Sequence, residues 1–215
     1  MADKEILIFV EGPSDKVFLE AYLYFLEDIP IKNFKVKDVT GKDNLSKRLL
    51  EIEKYDKTLI IFDADKDYES NKKEILSKTQ QKITEEQIFL FPNNQDDGDL
   101  ETLLLEIAKH DEFLKCFEGY LECIKSKEHY KPIKNISKSK WYAYLEVFEL
   151  QNFFKDKRNK NDKKNEEKII IDDKGKIRKE YKEEYEKLKE VIDFNSNSLI
   201  PLKNFLGQFA KNNQK

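Results

Sequence analysis

The stretch ILIFVEGPSDKVFLEAYLYF, residues 6–25, decides the fold, because a short apolar run meets Gly12 and Pro13 and then passes into a helical pattern. Residues 6–10 are β-branched, aromatic and apolar, which is typical of a buried parallel strand. Proline suits the first position of a helix, and Asp15 then falls in the first turn, where a negative charge complements the helix dipole. The stretch therefore predicts a strand, a tight turn and a helix.

The same alternation continues along the first half of the chain. Residues 34–39 predict a half-polar second strand, and residues 58–62 and 87–91 predict a third and a fourth. Helices are predicted between them, one carrying the apolar residues of 45–52 and one over residues 69–82. This order is typical of an α/β fold with a parallel four-stranded sheet and right-handed crossovers.

The remaining residues predict a helical C-terminal extension. Apolar spacing indicates three helices after the fourth strand and further helices near the C-terminus, the last of them capped by Ser198. Residues 155–168 contain no apolar side chain and are predicted to be a surface segment, with tracking of a phosphate backbone as the alternative. We divide the chain into a main α/β domain (1–150) and a charged segment with C-terminal helices (151–215) that are expected to pack on the same domain.

Composition narrows the class of protein. With 215 residues, 39% of them apolar, the chain can bury one core beneath a heavily charged surface. Forty basic and 43 acidic residues give a net charge of -3, which excludes a globally basic nucleic-acid binder. Any phosphate binding is therefore expected to be local or mediated by a metal ion.

Several further features bear on location and chemistry. The start MADKEILIFV lacks a basic leader, and no apolar run approaches the roughly 20 residues of a membrane span, so a cytoplasmic location is expected. Cys116 and Cys123 are seven residues apart on one predicted helix, about 10 Å at 1.5 Å per residue, so we predict core thiols without a disulfide. His110 and His129 lack partners at metal spacing, which disfavours zinc sites and Ser-His-Asp triads.

Two acidic clusters stand where predicted strands end. Glu11 and Asp15 follow the first strand, and Asp63 and Asp65 follow the third. Each acid alone has a structural explanation, as a dipole partner, a turn former or a surface charge. Together they would concentrate negative charge at the carboxyl edge of the sheet, where ligands bind in open α/β folds, and a cation would offset that cost. Carboxylate oxygens suit Mg²⁺.

A third acidic set follows the fourth strand. Asp97, Asp99 and Glu101 precede or open a predicted helix, where capping residues and acids are common for structural reasons. Because this turn leaves the same edge of the sheet, Asp99 or Glu101 is also a candidate ligand for a second metal ion.

The ordered pair of motifs, EG-x-x-D after the first strand and D-x-D after the third, resembles the Toprim domain of primases, topoisomerases and overcoming-lysogenization-defect (OLD) nucleases. The strand context and the later GDLE turn look most like the OLD-type branch, including small standalone bacterial Toprim-like proteins. The resemblance covers residues 5–150. It implies a Toprim/Rossmann-like sheet flanked by helices and a Mg²⁺- or Mn²⁺-dependent nuclease acting on DNA or RNA.

The resemblance also implies roles for particular residues. Glu11 would be a metal ligand or general acid/base, and Asp63 and Asp65 would hold the magnesium ion. Asp15 matches a further family acid that holds a second cation.

In the same way, the Asp99/Glu101 turn matches the family's ligands of that second cation. A late lysine of the family, which could offset transition-state charge, corresponds to Lys140 or its neighbour Lys138.

Two other functions stay open at this point. The domain could bind metal, nucleic acid or a partner without turnover, or it could transfer nucleotides as primases do. The P-loop pattern G-x-x-x-x-G-K-[ST] is absent, so any ATPase partner is expected to be a separate chain.

Overall fold

A computed structural model of the protein describes residues 6–26, 34–154 and 182–210. The predicted surface segment at 155–168 lies outside these residues. Four strands form one sheet: β1 (Ile6–Val10), β2 (Phe34–Asp38), β3 (Lys57–Asp63) and β4 (Ile88–Phe91). Their order is β2-β1-β3-β4 and every pair is parallel, which confirms the predicted α/β fold.

Helices connect and flank these strands. Their bounds are α1 Pro13–Phe25, α2 Leu49–Ile52, α3 Tyr68–Lys78, α4 Leu100–Glu106, α5 Asp111–Lys125, α6 Ile136–Val147, α7 Lys182–Val191 and α8 Ile200–Ala210. The predicted helix over residues 45–52 is wrong in detail, because a 3-10 helix (Lys42–Arg48) precedes the short α2. Asn44 and Ser46 turn their side chains to the backbone carbonyls of Thr40 and Asp43, which competes with α-helical bonding.

Both faces of the sheet are buried, which explains why β1, β3 and β4 contain continuous apolar runs. Alternate residues of β1 point to opposite sides: Ile8 belongs to the larger core and Phe9 to the smaller one. Helices α1, α4, α6, α7 and α8 contribute to the larger core, whereas the 3-10 helix, α2 and α3 cover the other face. The edge strand β2 is only partly buried, as its half-polar sequence predicts.

The C-terminal helices share the larger core. Phe205 of α8 packs on Phe89 of β4 with ring centroids 5.4 Å apart. The hydroxyl of Tyr144 donates to the carbonyl oxygen of Val191 at 2.7 Å, which joins α6 to the end of α7. The predicted cap of the last helix is shifted, because Ser196 accepts a bond from the Ser198 amide and opens a 3-10 turn before α8.

The prediction of core cysteines is wrong. Cys116 and Cys123 are free and exposed. The buried positions of α5 include Leu114 and Leu121, and each lies two residues before a cysteine. At about 3.6 residues per turn, two residues rotate by about 200°, so the cysteines lie on the solvent side. None of the helices in the three described ranges combines the length and apolarity needed to cross a membrane.

Candidate functional site

The site begins where β1 and β3 end side by side. Val10 pairs in register with Ile61, so Glu11 leaves the sheet next to the last residues of β3. Asp63 is the final residue of β3 and pairs with Phe91 of β4. The carboxyl ends of three neighbouring strands therefore meet at one edge, with Glu11 and Asp63 on adjacent strands.

The turn after β1 fixes Asp15 beside this edge. The amide of Gly12 donates to Asp15 Oδ2 at 3.0 Å, which is the half of a capping box that a glycine N-cap can make at the start of α1. A Cβ atom at Gly12 would lie 3.3 Å from the same oxygen, tighter than most contacts of real Cβ atoms. Glycine therefore leaves room for a buried carboxylate, since Asp15 is only 7% exposed.

The third acidic set reaches the same edge through the turn after β4. Asp65 and Gly98 form an antiparallel bridge with two backbone bonds of 2.7 Å. Gly98 has φ 145°, and a Cβ atom there would lie 3.0 Å from Pro92 Cδ, so glycine is required on both counts. Asp63 Oδ1 accepts from the amide of Leu100 at 2.9 Å, which ties β3 to the start of α4.

Several predicted acids have structural bonds at this edge. Asp99 caps α4, since its Oδ1 accepts from the Thr102 amide at 2.8 Å and the Thr102 hydroxyl at 2.6 Å. Asp97 Oδ1 accepts from the Tyr68 amide at 2.8 Å. Asp65 is paired with Lys42 and half exposed.

Electrostatics join the buried acids into one cluster. The pKa of Asp15 is raised to about 7, chiefly by burial, with the negative charges of Glu101 and Glu11 adding to the effect. Burial also raises the pKa of Asp63 well above its ordinary value, and the charges of Asp15 and Glu11 raise it further. These carboxylates are therefore close enough to disfavour one another's ionisation.

Glu11 and Glu101 have the same tendency but each has a neighbouring lysine. Burial is the main reason why the pKa of Glu11 is raised, while the positive charge of Lys42 acts in the opposite direction. Burial likewise raises the pKa of Glu101, and Lys138 lowers it in part. The ammonium of Lys138 lies 3.8 Å from Glu101 Oε1.

The two candidate lysines of α6 differ in what they contact. Lys138 faces the acidic cluster through Glu101, whereas Lys140 Nζ lies 2.6 Å from Glu118 Oε1 on α5. One turn after Lys138, the hydroxyl of Tyr142 lies 3.4 Å from Ser14 Oγ at the start of α1. Lys138 is therefore the lysine of this pair that the structure brings to the site.

A cation fits this cluster by one structural test. Within the described residues, Glu11 Oε2 and Asp15 Oδ1 are buried oxygens without a hydrogen-bond partner. A buried carboxylate oxygen without a partner costs free energy, and a divalent cation bound there would supply the missing interaction. The donor set is all oxygen, which suits Mg²⁺ or Mn²⁺.

The side-chain arrangement is not that of a closed metal site. In residues 6–26, 34–154 and 182–210, no group of three or more His, Cys, Asp or Glu side chains is arranged to hold an ion. Asp65 turns to Lys42, and Asp99 caps its own helix. Chelation that included Asp65 or Asp99 would therefore require those two side chains to move.

Sequence reasoning missed Lys42, which the structure brings to the acidic edge of the sheet. Its ammonium pairs with Asp65 and also lies 2.6 Å from Asn71 Oδ1. One signal was present in the sequence: Lys42 follows β2 directly after Gly41, so it leaves the sheet at the same carboxyl edge as the acids.

The fold and the site together define an α/β protein with a buried acidic cluster at the carboxyl edge of a parallel sheet. The chain belongs to the family described as "Protein of unknown function (DUF3226)", whose model matches residues 5–211. No curated protein and no solved structure matched the chain.

Proposed function

We propose that the protein is a Toprim/OLD-type nuclease that carries out Mg²⁺- or Mn²⁺-dependent phosphodiester chemistry on DNA or RNA in the cytoplasm. The observation that carries the proposal is a pair of buried oxygens without a hydrogen-bond partner, Glu11 Oε2 and Asp15 Oδ1. Both carboxylates are close to Asp63. Glu11 and Asp63 themselves stand at the ends of adjacent strands. Caps and ion pairs account for many acids of the fold, but within the described residues they leave these two oxygens without a bond. A site for one cation, or for two, accounts for the cluster.

The residues have distinct roles in this proposal. Glu11 and Asp63 would hold the first ion, with Asp65 joining them, and a divalent cation there supplies Lewis-acid stabilisation of a phosphodiester. Asp15 is fixed by the Gly12 amide and would keep the pair in place or share a second ion with Glu101.

Positive charge next to the cluster would help to hold a phosphate. The side chain of Lys138 is 54% exposed and its ammonium is close to Glu101, so it can meet a substrate from solvent without losing contact with the site. A flexible lysine binds phosphate as a point charge. Lys140 is held by Glu118 and is the alternative for this role.

The proposal is tested by incubating the pure protein with single- and double-stranded DNA and RNA in the presence of Mn²⁺. Removal of one metal-coordinating carboxylate in Asp63→Ala should lower the cleavage rate by at least about 100-fold, the upper end for loss of an outer-shell partner. Asp67→Ala is the matched control, because Asp67 lies in the same loop but caps α3 through the Ser70 amide. Failure of the wild-type protein to cleave any substrate would contradict the proposal.

A second candidate is a metal- and nucleic-acid-binding module without turnover, with a separate ATPase as a further partner. The observation in its favour is that Asp65 is paired with Lys42 and Asp99 is used as a helix cap, which removes two ligands from the ready set. Binding of labelled oligonucleotides that requires Mn²⁺ but gives no cleavage would favour the module over the nuclease.

A further inference from the structure

The loop between β2 and the 3-10 helix carries a lysine into the acidic cluster. The amide of Val39 donates to the carbonyl oxygen of Val10 at 3.0 Å, and the amide of Gly41 donates to that of Glu11 at 2.9 Å. The loop is thus tied to the end of β1. Gly41 has φ 98°, a left-handed value, and no atom lies within 4 Å of a Cβ built there, so glycine serves the backbone direction and not the space.

Lys42, the next residue, is held from two sides. Its ammonium pairs with Asp65 and lies 2.6 Å from Asn71 Oδ1. Asn71 is itself fixed, because its Nδ2 donates to the carbonyl oxygens of Ala64 and Asp67. The lysine side chain is 15% exposed, compared with 52% for Asp65, so the cation is the more buried partner of this pair.

The 3-10 helix that begins at Lys42 is anchored as well. Lys78 of α3 pairs with Asp43 at 2.8 Å. The loop that carries Lys42 is therefore held by backbone bonds to the end of β1. The Lys42 side chain is held by bonds to the loop after β3 and to α3. It does not resemble a surface lysine that meets an acid by chance.

The charge of Lys42 acts on Glu11 as well as on Asp65. Burial is the main cause that raises the pKa of Glu11, and Lys42 is the largest opposing influence, whereas Asp65 raises it. Lys42 thus lowers the repulsion between Glu11 and Asp65. A divalent cation bound by Glu11 and Asp65 would also lower the repulsion between these carboxylates, and it would repel the Lys42 ammonium.

We propose that Lys42 is an internal counter-cation, which holds Asp65 while the acidic cluster is free of metal and which a divalent cation must displace from Asp65 in order to bind. This inference rests on the proposed function, since it deepens the same site. The long, flexible stem of lysine allows the ammonium to leave Asp65 without a change of backbone.

The test is calorimetric titration of Mn²⁺ into the wild-type protein, Lys42→Met and Lys47→Met. Lys47 is the matched control, because it lies on the same 3-10 helix, is exposed and contacts the Asn44 side chain at 2.7 Å. Removal of the competing charge should make Lys42→Met bind Mn²⁺ about tenfold more tightly than wild type. Lys47→Met should stay within about twofold, because exposed charges at a distance are screened.

A second variant and a second signal protect the test against misfolding. Lys42→Gln removes the charge but keeps a donor for Asn71, and it should show the same direction of change if Lys42→Met fails to fold. The ¹³Cε resonance of Lys42 can be assigned because it is lost in Lys42→Met and in Lys42→Gln. In the wild-type protein, this resonance should shift as Mg²⁺ is added. A resonance that does not move while Mg²⁺ binds would overturn the inference.

The outcomes separate this inference from the proposed function. Equal Mn²⁺ affinities in the wild type and Lys42→Met, or weaker binding by the variant, would overturn the counter-cation role and leave the metal site standing. Binding by Lys42→Met alone would support the role in its strongest form. Absence of Mn²⁺ binding in the wild type, in Lys42→Met and in Lys47→Met would overturn the metal site, and with it both proposals.

Discussion

The acids at the carboxyl edge of the sheet form two groups with different surroundings. The inner acids are Glu11, Asp15, Asp63 and Glu101, and the outer acids are Asp65, Asp67, Asp97 and Asp99. Burial is the first cause that raises the pKa of every inner acid. Every outer acid accepts a bond from a lysine or from a backbone amide. The inner acids Asp15 and Asp63 also accept bonds from backbone amides, so burial and not bonding distinguishes the two groups.

We propose that this difference separates acids with a structural role from acids that bind a ligand. Asp67, Asp97 and Asp99 stabilise helix starts, so the fold itself accounts for them, whereas Asp65 is paired with Lys42. The inner acids bring like charges together in a buried place, which costs free energy until protons or a cation neutralise them. We propose that this cluster, which is costly to the fold and lies where α/β sheets bind ligands, holds a cation.

The largest expected effect is a pH dependence that belongs to the inner acids. Because the folded-state pKa of Asp15 is about 7, above its ordinary 3.8, the folded state keeps this proton where the unfolded chain loses it. The free energy of unfolding should therefore fall as pH rises from about 4.5 to 7, by up to about 1.4 kcal/mol per pH unit for one such group. Denaturant unfolding without metal, measured across this range, checks the prediction.

The control for this effect is Asp15→Asn, which should flatten the slope in the same pH range. Exposed acids oppose the trend only at lower pH. The pKa of Asp43, for example, is lowered by its hydrogen bond to Lys78, so its contribution is lost in acid, below its ordinary pKa. A free energy of unfolding that does not fall between pH 5 and 7 would contradict the raised pKa of Asp15.

The next effect is stabilisation by metal, which should depend on the inner acids and on Asp65, but not on Asp67 or Asp97. At 100 times its dissociation constant, Mn²⁺ should raise the free energy of unfolding by about 2.7 kcal/mol, or the melting temperature by about 5–10 °C for a chain of this size. The stabilisation should be larger at pH 8 than at pH 5, because the ligands must lose their protons. Thermal unfolding with and without Mn²⁺ measures it.

Two variants sharpen this comparison. Asp63→Asn keeps an acceptor for the Leu100 amide but should abolish the stabilisation, whereas Asp97→Asn, a change in an outer acid, should retain it. Equal Mn²⁺ stabilisation in both variants would remove the distinction between the two groups.

The smallest effect concerns the outer acids. Asp67→Ala removes the cap of α3 and should lower the free energy of unfolding by about 1 kcal/mol, while Asp67→Asn, which is also a good cap, should be nearly neutral. Neither change should alter the response to Mn²⁺. Chemical denaturation of both variants tests this. A loss of Mn²⁺ stabilisation in either variant would show that Asp67 contributes to metal binding.

Much of the fold could be predicted because both faces of the sheet are buried. Strands β1, β3 and β4 each contain a short apolar run, and each run is bounded by polar residues or by Pro92, whereas the edge strand β2 is half-polar. The 3-10 helix at Lys42–Arg48 could not be predicted in the same way. Its form depends on Asn44, which bonds the local backbone, and on the pairing of Asp43 with a distant lysine of α3.

The site was predictable where it depends on strand ends and not where it depends on side-chain direction. Glu11 and Asp63 come together because parallel strands end at one edge. The pairing of Lys42 with Asp65 joins residues 23 positions apart, and no local pattern encodes it. The same limit applies to Lys138 and Lys140, since the burial of the neighbouring Trp141 determines which face of α6 meets the acids.

The most direct test of the central claim is the anomalous-scattering map of crystals soaked with Mn²⁺ above neutral pH. Our account predicts a manganese peak bonded to carboxylate oxygens of both Glu11 and Asp63, at about 2.1 Å, with the Lys42 ammonium withdrawn from Asp65. Manganese found only on surface carboxylates, with Glu11 and Asp63 unchanged, would contradict it.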